Sequence, residues 1–520
     1  MALPVTQDQF ARLASVVAVC WWSICFALIF FMQAGFQLLE GGSIRAKNVA
    51  HVGAKVMTHM GIAIVSFYAV GFAVKNFGWP WCYIVHQSQT GVALADVKDV
   101  ITGFSGWHLS STSWLPWKFS ATPDTYGFAF FGSLVFCITS TAIPGTVFSE
   151  RFRYSAYVLY AIVYTLIIYP VFAWLVWGGL GGSPLLDPHS GLLQLLDRLF
   201  TPEVGSALGK KLTEYGMVAD GSGHYFYAPY TDYAGSTGVH MLGGVIGAVG
   251  ALMIGPRRGK FDKQGRPLAI PAHDVPQAVF GALLLAFCWF GFNGGSVVAS
   301  YFAHPQLGEG AGARGLYLAD FLYTDVWWVL VVTAMAAAGG ILGSLIVGKR
   351  IFGKPDPLVI ANGLLGALVA VCAGVGFIPP WYGFLIGFCA GAQFPFTLRF
   401  IEHRIKLDDA IGTVACHACS GAVGTVMAGL WGQLFWWGVL PLDWVHPGGG
   451  ALSGSFIPTL GIELCGMVAL LLWAIPCGWL MFKLIDKLVG CRVSPEEEAQ
   501  GLDLSEHGIE AYPQHPGDSH

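Results

Sequence analysis

The chain has 520 residues, of which 55% are hydrophobic and only 11% are charged, and its mean hydropathy is +0.60. Soluble globular proteins carry about 25% charged residues, so this composition excludes a soluble domain and predicts an integral membrane protein. The net charge is only −4, and no basic patch coincides with a nucleic-acid reader motif, which argues against nucleic acid as a partner.

The apolar residues fall into long runs, each of roughly the 20 residues that a helix needs to cross a bilayer. The runs lack the strict alternation of a membrane β-barrel, so they predict an all-α fold. Eleven transmembrane helices are predicted, at 15–38, 51–75, 124–148, 153–177, 232–255, 273–296, 323–348, 357–378, 380–399, 410–435 and 457–485.

The basic residues predict the orientation. With the N-terminus outside, 18 of the 27 Lys and Arg residues lie in the inner segments, although the outer segments are longer. No basic region precedes the first apolar run, so we expect that span to be retained and not cleaved as a signal peptide. The prediction is a multi-pass protein of the cell inner (plasma) membrane, with its N-terminus outside and its C-terminus in the cytoplasm.

Two outer segments, 76–123 and 178–231, are long. The first is rich in tryptophan and the second contains the amphipathic stretch GLLQLLDRLF, so we expect both to cap the outer surface.

The predicted domains are a membrane domain at 1–491 and a polar cytoplasmic tail at 492–520, too short for a folded catalytic module. Most of the 12 cysteines lie within spans and are expected to be small core residues, Cys82 being the clear exception.

The fifth and tenth spans share the pattern D-x-x-G-x-x-x-x-H-x-x-x-G-x-x-G. Five spans separate the two copies, so the copies run in opposite directions and predict an inverted five-plus-five repeat. Such repeats place the functional site near the bilayer midplane. The matched residues are Asp232, Gly235, His240, Gly244 and Gly247 in the first copy and Asp409, Gly412, His417, Gly421 and Gly424 in the second.

His240 and His417 are the candidate pore residues. Each follows its aspartate by eight residues, or about 12 Å of helix, so both approach the centre of a core about 30 Å thick. Two neutral imidazoles can hydrogen-bond to each other and line a narrow passage for a small molecule. The glycines one and two turns later would let a neighbouring helix approach closely. The alternatives are a satisfied pair of core histidines and a metal site, but zinc takes three or four protein ligands.

A second group of residues suits a cation. Trp177 ends the fourth span and Ser296 ends the sixth, and both ends are on the outer side. An indole face attracts a cation, and a serine oxygen accepts a hydrogen bond from it. Phe136 and Phe292 lie on the third and sixth spans and could gate the route to the histidines. In a chain with 36 Phe and 19 Trp, each aromatic taken alone is more typical of core packing than of a site.

Several of these stretches together resemble one known family. They are FMQAGFQLLEGGSIRAKN (31–48), SERFRYSA (149–156), DYAGSTGVH (232–240), CWFGFNGGS (288–296) and RVSPEEEAQGLDLSEHGIEAYPQ (492–514). In this order, they resemble the ammonium transporters of the Amt/Rhesus superfamily, nearer the Amt branch. The resemblance runs from the first span to the tail.

The resemblance implies a homotrimer with one pore inside each eleven-helix protomer, no enzymatic activity and no cofactor. It also implies a role for each candidate residue. His240 and His417 take the pore positions, Trp177, Ser296 and Phe136 the ammonium-binding positions, Phe136 and Phe292 the gate, and Asp232 a position that supports the outer site.

The implied mechanism recruits ammonium outside, removes its proton and passes ammonia between the histidines, since a bare cation is prohibitively costly in hydrocarbon. The proton crosses separately or not at all. One alternative is an ammonium sensor that binds but barely conducts. Another is a Rhesus-type gas channel, against which Trp177 and the tail argue. The tail suggests regulation by a PII signal protein at the cytoplasmic face.

The chain departs from the family pattern in two places. Gly412 stands where the family often carries a second aspartate, which puts the inner exit of the pore in question. The segment 178–231 is longer than the expected link between spans. Glu40, near the inner end of the first span, is assigned no role.

Overall fold

A computed structural model describes residues 7–75, 123–177, 230–302, 311–437, 439–440 and 458–513. This part of the chain is helical, and the only bridges in it are two isolated ones. The predicted all-α membrane fold is confirmed. In chain order the helices are α1 (Gln7–Ser43), α2 (Val49–Ser66), α3 (Pro123–Val147), α4 (Tyr154–Val163), α5 (Leu242–Ile254), α6 (Val275–Phe302), α7 (Ala311–Phe352), α8 (Pro357–Val371), α9 (Pro380–Phe400), α10 (Ser420–Trp436) and α11 (Leu460–Val489).

Five π-helical turns extend these helices. Two of them lie inside spans and continue into short α-helical segments, Phe72–Lys75 after α2 and Tyr169–Trp177 after α4. The π turns are Phe67–Gly71 after α2, Tyr164–Ile168 after α4, Ser236–Met241 before α5, Ile401–Ile405 after α9 and Val414–Cys419 before α10.

Ten helices in the described ranges are long and apolar enough to cross a membrane. The eighth predicted span, 357–378, is the exception, because α8 has only 15 residues, or about 22 Å of helix. The chain then continues in turns, and the carbonyls of Cys372 and Ala373 accept hydrogen bonds from Ala234 (2.8 Å) and Tyr233 (3.2 Å). Helix α8 does not continue through these residues, because their carbonyls bind another segment. The predicted count of eleven spanning helices is therefore not confirmed.

Helices α5 and α10 lie at the centre of the bundle, and α3, α8 and α11 pack around them. The two central helices run in opposite directions. The Arg151 guanidinium joins the end of α5 to the start of the α10 segment, because it donates to the carbonyl oxygens of Gly255 and Asp408, both at 2.7 Å. The bundle therefore has two ends, which we call the Trp177 end and the tail end.

Residues after α11 lie on the tail end of the bundle. They form α12 (Pro495–Gln500), which begins with a capping box at Ser494, and α13 (Leu502–His507). The Leu502 N–H donates to the Asn48 side chain (2.9 Å), and the His51 N–H donates to the Asp503 carboxylate (2.7 Å). These contacts tie the tail to the start of α2.

Several predictions concern residues outside the described ranges. They include nearly all of the segments 76–123 and 178–231, with their tryptophans, the stretch 191–200 and Cys82. The expected capping role of these two segments stays a prediction.

Candidate functional site

The turn that precedes α5 is organised by Asp232. Its carboxylate accepts hydrogen bonds from the N–H groups of Ser236 (2.6 Å), Thr237 (2.9 Å) and Gly238 (2.7 Å), and from the Thr237 hydroxyl (2.6 Å). Gly235 has φ +93°, a left-handed conformation that costs glycine little. Asp232 thus satisfies the first N–H groups of the helix, which have no acceptor within it.

The turn that precedes α10 repeats this design at the other end of the bundle. Asp409 accepts hydrogen bonds from the N–H groups of Thr413 (2.9 Å) and Val414 (2.6 Å), and Gly412 has φ +84°. Burial raises the pKa of Asp409 to about 6, although the two N–H donors act in the opposite direction. The positive φ of Gly412 favours glycine at this position, because other residues rarely adopt this backbone conformation.

Each of these turns leads into a π turn that carries one of the predicted pore histidines. The structure brings them together: Nδ1 of His240 lies 3.3 Å from Nδ1 of His417. The two rings are nearly parallel, with centroids 5.3 Å apart and an angle of 24° between their planes. Both side chains are buried. One ring donates a proton and the other accepts it, as a pair of neutral imidazoles can.

The glycines after the histidines allow this contact. A Cβ atom on Gly244 would lie 2.5 Å from the backbone nitrogen of Ala418, and one on Gly421 would lie 2.7 Å from the carbonyl oxygen of Ser236. A side chain at either position would push one histidine helix away from the π turn of the other. The predicted close approach of a neighbouring helix is confirmed: at Gly244 and Gly421 the neighbour is the other histidine helix, whereas Gly247 lies against α3 and Gly424 against α8.

Aromatic rings cover the histidine pair on the side towards Trp177. The ring centroids of Phe136 and Phe292 are 4.4 Å apart, and Phe292 lies 5.3 Å from His240. The indole of Trp289 stacks on His240 with a centroid distance of 5.0 Å and an angle of 22°. The two predicted gate residues are therefore in contact with each other, and one of them contacts the histidine pair.

Trp177 is held next to this aromatic group. Its indole N–H donates to the backbone carbonyl of Asp232 (2.9 Å), and its ring meets Phe136 edge-on at 6.1 Å. The chain of contacts from Trp177 through Phe136 and Phe292 to His240 is continuous. The Asp232 carboxylate is occupied by the turn, so Asp232 contacts Trp177 through its backbone carbonyl.

Ser296 lies one helical turn after Phe292 and is buried. Its hydroxyl donates to the Phe292 carbonyl (2.8 Å), so the hydroxyl oxygen keeps its capacity to accept a hydrogen bond. In the described part of the chain, no hydrogen bond or ring contact joins Ser296 to Trp177. Ser296 thus lies beside Phe292, one of the two predicted gate residues.

Two residues near the site were missed in the sequence. Trp289 lies three residues before Phe292 in CWFGFNGGS, a spacing that puts both side chains on one face of a helix, but in a chain with 19 tryptophans this spacing alone did not single it out. Glu463 is fully buried near the start of α11, where its carboxylate accepts from the Thr231 N–H (3.1 Å). It thereby holds the residue just before Asp232, and nothing local in the sequence links the two.

Charged residues surround the tail end of α5. Arg257 donates to both carboxylate oxygens of Asp408 (2.8 and 2.9 Å) and to Glu150 (2.7 Å). Burial alone would raise the pKa of Asp408, but the hydrogen bonds and charge of Arg257, with the charge of Arg151, hold this pKa well below its usual value. Asp408 therefore stays ionised beside Asp409, whose pKa is raised.

These features define a class of protein. Two central antiparallel helices present a pair of buried imidazoles, aromatic rings cover the pair on one side, and a bundle of apolar helices surrounds them. A buried ionisable pair enclosed by spanning helices is typical of a substrate pathway in a membrane transporter or channel.

The chain belongs to the ammonium transporter family, because the model of the Ammonium Transporter Family matches residues 20–512. Among curated proteins, the chain is 34% identical to ammonium transporter Amt1 of Haloferax mediterranei, over 97% of this chain and 81% of that protein. It is 31% identical to ammonium transporter Amt2 of Archaeoglobus fulgidus, over 95% of this chain and 87% of that protein.

Solved structures share the fold. A sensor Amt protein aligns with a TM-score of 0.67 at 24% identity, over 95% of this chain and 99% of that one. Candida albicans Mep2 aligns with a TM-score of 0.59 at 18% identity, over 92% and 87%. The resemblance found in the sequence is confirmed.

Proposed function

We propose that this protein moves ammonium nitrogen across the membrane as ammonia, through the passage that His240 and His417 line. The observation that carries the proposal is the 3.3 Å contact between their Nδ1 atoms, with the Phe136 and Phe292 rings on its Trp177 side. Names of relatives such as ammonium transporter Amt1 support the choice of substrate.

The contacts suggest an order of events. Ammonium is recruited at the Trp177 end, where an indole face and the Ser296 oxygen can hold a cation. The apolar gate behind them offers no group that replaces water around a charge, so the cation gives up its proton before it passes. Neutral ammonia can then donate to or accept from the imidazole nitrogens, and its proton crosses separately or stays outside.

The experiment is an ammonium concentration jump on purified protein in liposomes, adsorbed on a solid-supported membrane, with a parallel influx assay that uses a pH-sensitive dye. We expect uptake that depends on the protein and falls at least tenfold in His417→Ala. His273→Ala is the control, because His273 lies at the tail end, where it contacts Ile44 and Tyr512.

The outcome separates the alternatives. A sustained current means that net charge accompanies the nitrogen, and influx without current means electroneutral ammonia passage. A brief binding transient with no influx would contradict the transport proposal and favour an ammonium sensor.

The remaining parts of the proposal concern the cellular setting. We place the Trp177 end outside and the tail end in the cytoplasm of a cell inner membrane, as the distribution of Lys and Arg suggests. We also propose a homotrimer with one pore in each protomer. The tail helices α12 and α13 offer a surface at the cytoplasmic end where a PII signal protein could act, and an unaltered transport rate in saturating PII protein would count against that partner.

A further inference from the structure

The indole of Trp289 forms a wall beside the first histidine of the pair. It stacks on His240 with ring centroids 5.0 Å apart, and its ring centroid lies 5.7 Å from that of Phe292. The Trp289 side chain is fully buried, and a buried tryptophan generally finds an acceptor for its indole N–H. The orientation of this wall therefore depends on what the indole N–H binds.

The acceptor is the thiol of Cys372, which lies where α8 ends. The indole nitrogen of Trp289 is 3.2 Å from the Cys372 sulfur. The same sulfur lies 3.2 Å from Oδ1 of Asn293 and 3.1 Å from the carbonyl oxygen of Leu368. A thiol carries one proton and a weakly accepting sulfur, so it donates to these oxygens and accepts from the indole at the same time.

A chain of hydrogen bonds across α6, α7 and α8 fixes the direction of this contact. The Thr333 hydroxyl donates to the Val329 carbonyl (2.7 Å), so its oxygen accepts from the amide nitrogen of Asn293 (3.0 Å). This bond leaves the amide oxygen of Asn293 on the side of Cys372, where it needs a donor. The thiol therefore turns its proton towards acceptor oxygens and its sulfur lone pairs towards the N–H of Trp289.

Cys372 also holds the loop that leads to His240. Its backbone carbonyl accepts a hydrogen bond from the N–H of Ala234 (2.8 Å), the residue before Gly235. Because α8 ends at Val371, this carbonyl can bind the loop. One buried residue thus contacts the ring on His240 through its side chain and the turn before His240 through its backbone.

We propose that Cys372 is a positioning residue that holds the Trp289 indole against His240 and thereby sets the width of the passage beside Phe292. The proposal rests on the proposed transport function. A passage of fixed width selects by size, and the smallest change in size is one methyl group on the nitrogen of the substrate. Such a group is worth about tenfold or more in a tight apolar pocket. Cys372 itself acts only through Trp289.

The test compares the uptake of ammonium and of methylammonium into proteoliposomes with the pH-sensitive dye. In Cys372→Ala the buried indole N–H loses its acceptor and the ring is free to turn. We expect the ratio of ammonium to methylammonium uptake to fall at least about threefold, a part of the discrimination that one methyl group permits. Cys372→Ser keeps a donor and an acceptor at this place and should recover most of the wild-type ratio.

A matched control removes a buried thiol elsewhere. Cys491 is buried after α11 at the tail end, and its thiol donates to the Phe482 carbonyl (3.4 Å). Cys491→Ala should therefore keep the wild-type ratio. A fall in this control as large as that in Cys372→Ala would assign the effect to the general loss of a buried thiol and overturn the proposal.

A double-mutant cycle with Trp289→Phe tests whether Cys372 acts through the indole. Phenylalanine keeps an aromatic ring but has no N–H, so Cys372→Ala on this background should leave the uptake ratio unchanged. It should also lower the melting temperature less than it does in the wild type, because residues in contact are not additive. Equal decreases in melting temperature on both backgrounds would contradict the hydrogen bond, and equal falls in the ratio would contradict the route through Trp289.

The outcomes separate this proposal from the transport function. A wild type that takes up neither ion would contradict the transport function, and the role in selection would fall with it, while the melts still test the hydrogen bond. Uptake with the same ratio in the wild type and in Cys372→Ala would overturn the positioning role alone. If Cys372→Ala does not fold, Cys372→Val, which fills the space without an acceptor, must lower the ratio for the proposal to stand.

Discussion

The two turns that start the histidine helices are alike in design and differ in their surroundings. Asp232 satisfies three backbone N–H groups and a hydroxyl, and Glu463 and Trp177 hold the same loop through further hydrogen bonds. Asp409 satisfies two N–H groups and lies next to the ionised Asp408. The comparison teaches that one short pattern builds both helix starts, while non-local neighbours make one end rich in hydrogen bonds and the other highly charged.

The largest expected effect is at Asp232. In Asp232→Ala, three N–H groups and the Thr237 hydroxyl lose their acceptor in a buried turn, at a cost of about 1–3 kcal/mol for each unsatisfied group. We expect a melting temperature well below that of the wild type and at least a tenfold loss of ammonium uptake. Asp232→Asn, which keeps one acceptor oxygen, should fall in between. A wild-type melting temperature for Asp232→Ala would contradict this reading.

Asp409→Ala should have a smaller effect of the same kind. Only the N–H groups of Thr413 and Val414 lose their acceptor, so the expected cost is about half of that at Asp232. The measurement is the same thermal melt in detergent, with both variants prepared side by side. If Asp409→Ala were as damaging as Asp232→Ala, the number of donors would not be what distinguishes the two turns.

Substitution of Gly412 tests the shared turn geometry. In Gly412→Ala a left-handed conformation costs about 1–2 kcal/mol, and the added Cβ would lie 2.9 Å from the Phe394 ring. The control is Gly259→Ala, where φ is +79° and no atom lies within 4 Å of the added Cβ. We expect Gly412→Ala to melt at the lower temperature. Equal melting temperatures would mean that the Phe394 ring gives way at no cost.

The smallest expected effect is a pH dependence at the tail end. The pKa of Asp409 is about 6 in the folded protein, above the ordinary value of 3.8, so the folded state holds this proton more tightly than the unfolded state. Stability from this group is therefore greatest at low pH and falls by about 1.4 kcal/mol between pH 5 and pH 7. Asp408, whose pKa is lowered, stays ionised throughout this range.

Thermal melts at several pH values check this expectation. The decrease in melting temperature from pH 5 to pH 7 should be smaller in Asp409→Asn than in the wild type. A decrease of the same size in both proteins would assign the pH dependence to other groups.

Much of this site could be read from the sequence, because its central features are local. In the first copy, Asp232 caps the start of the helix and Gly235 has the left-handed conformation. His240 follows on the face of the helix that points into the bundle. The second copy at Asp409 carries the same local information. Long apolar runs likewise predicted where the helices lie, since length and hydropathy decide whether a helix spans a bilayer.

What the sequence could not supply depends on contacts between distant segments. Helix α8 ends early because the carbonyls of Cys372 and Ala373 bind the loop at 233–234, more than a hundred residues away. The stacking of Trp289 on His240 and the bond from Glu463 to Thr231 arise in the same way. The complete five-plus-five repeat stays a prediction, since the evidence for it is the pair of turns and the opposed directions of α5 and α10.

The central claim is that the two turns deliver two histidines that work as one unit. The most direct measurement is ammonium influx into proteoliposomes for wild type, His240→Ala, His417→Ala and the double variant. We predict that each single substitution removes most of the influx and that the double variant is no worse than the more severe single one, because residues of one unit are not additive. Wild-type influx in either single variant, or a double variant that falls by the product of the two losses, would contradict the account.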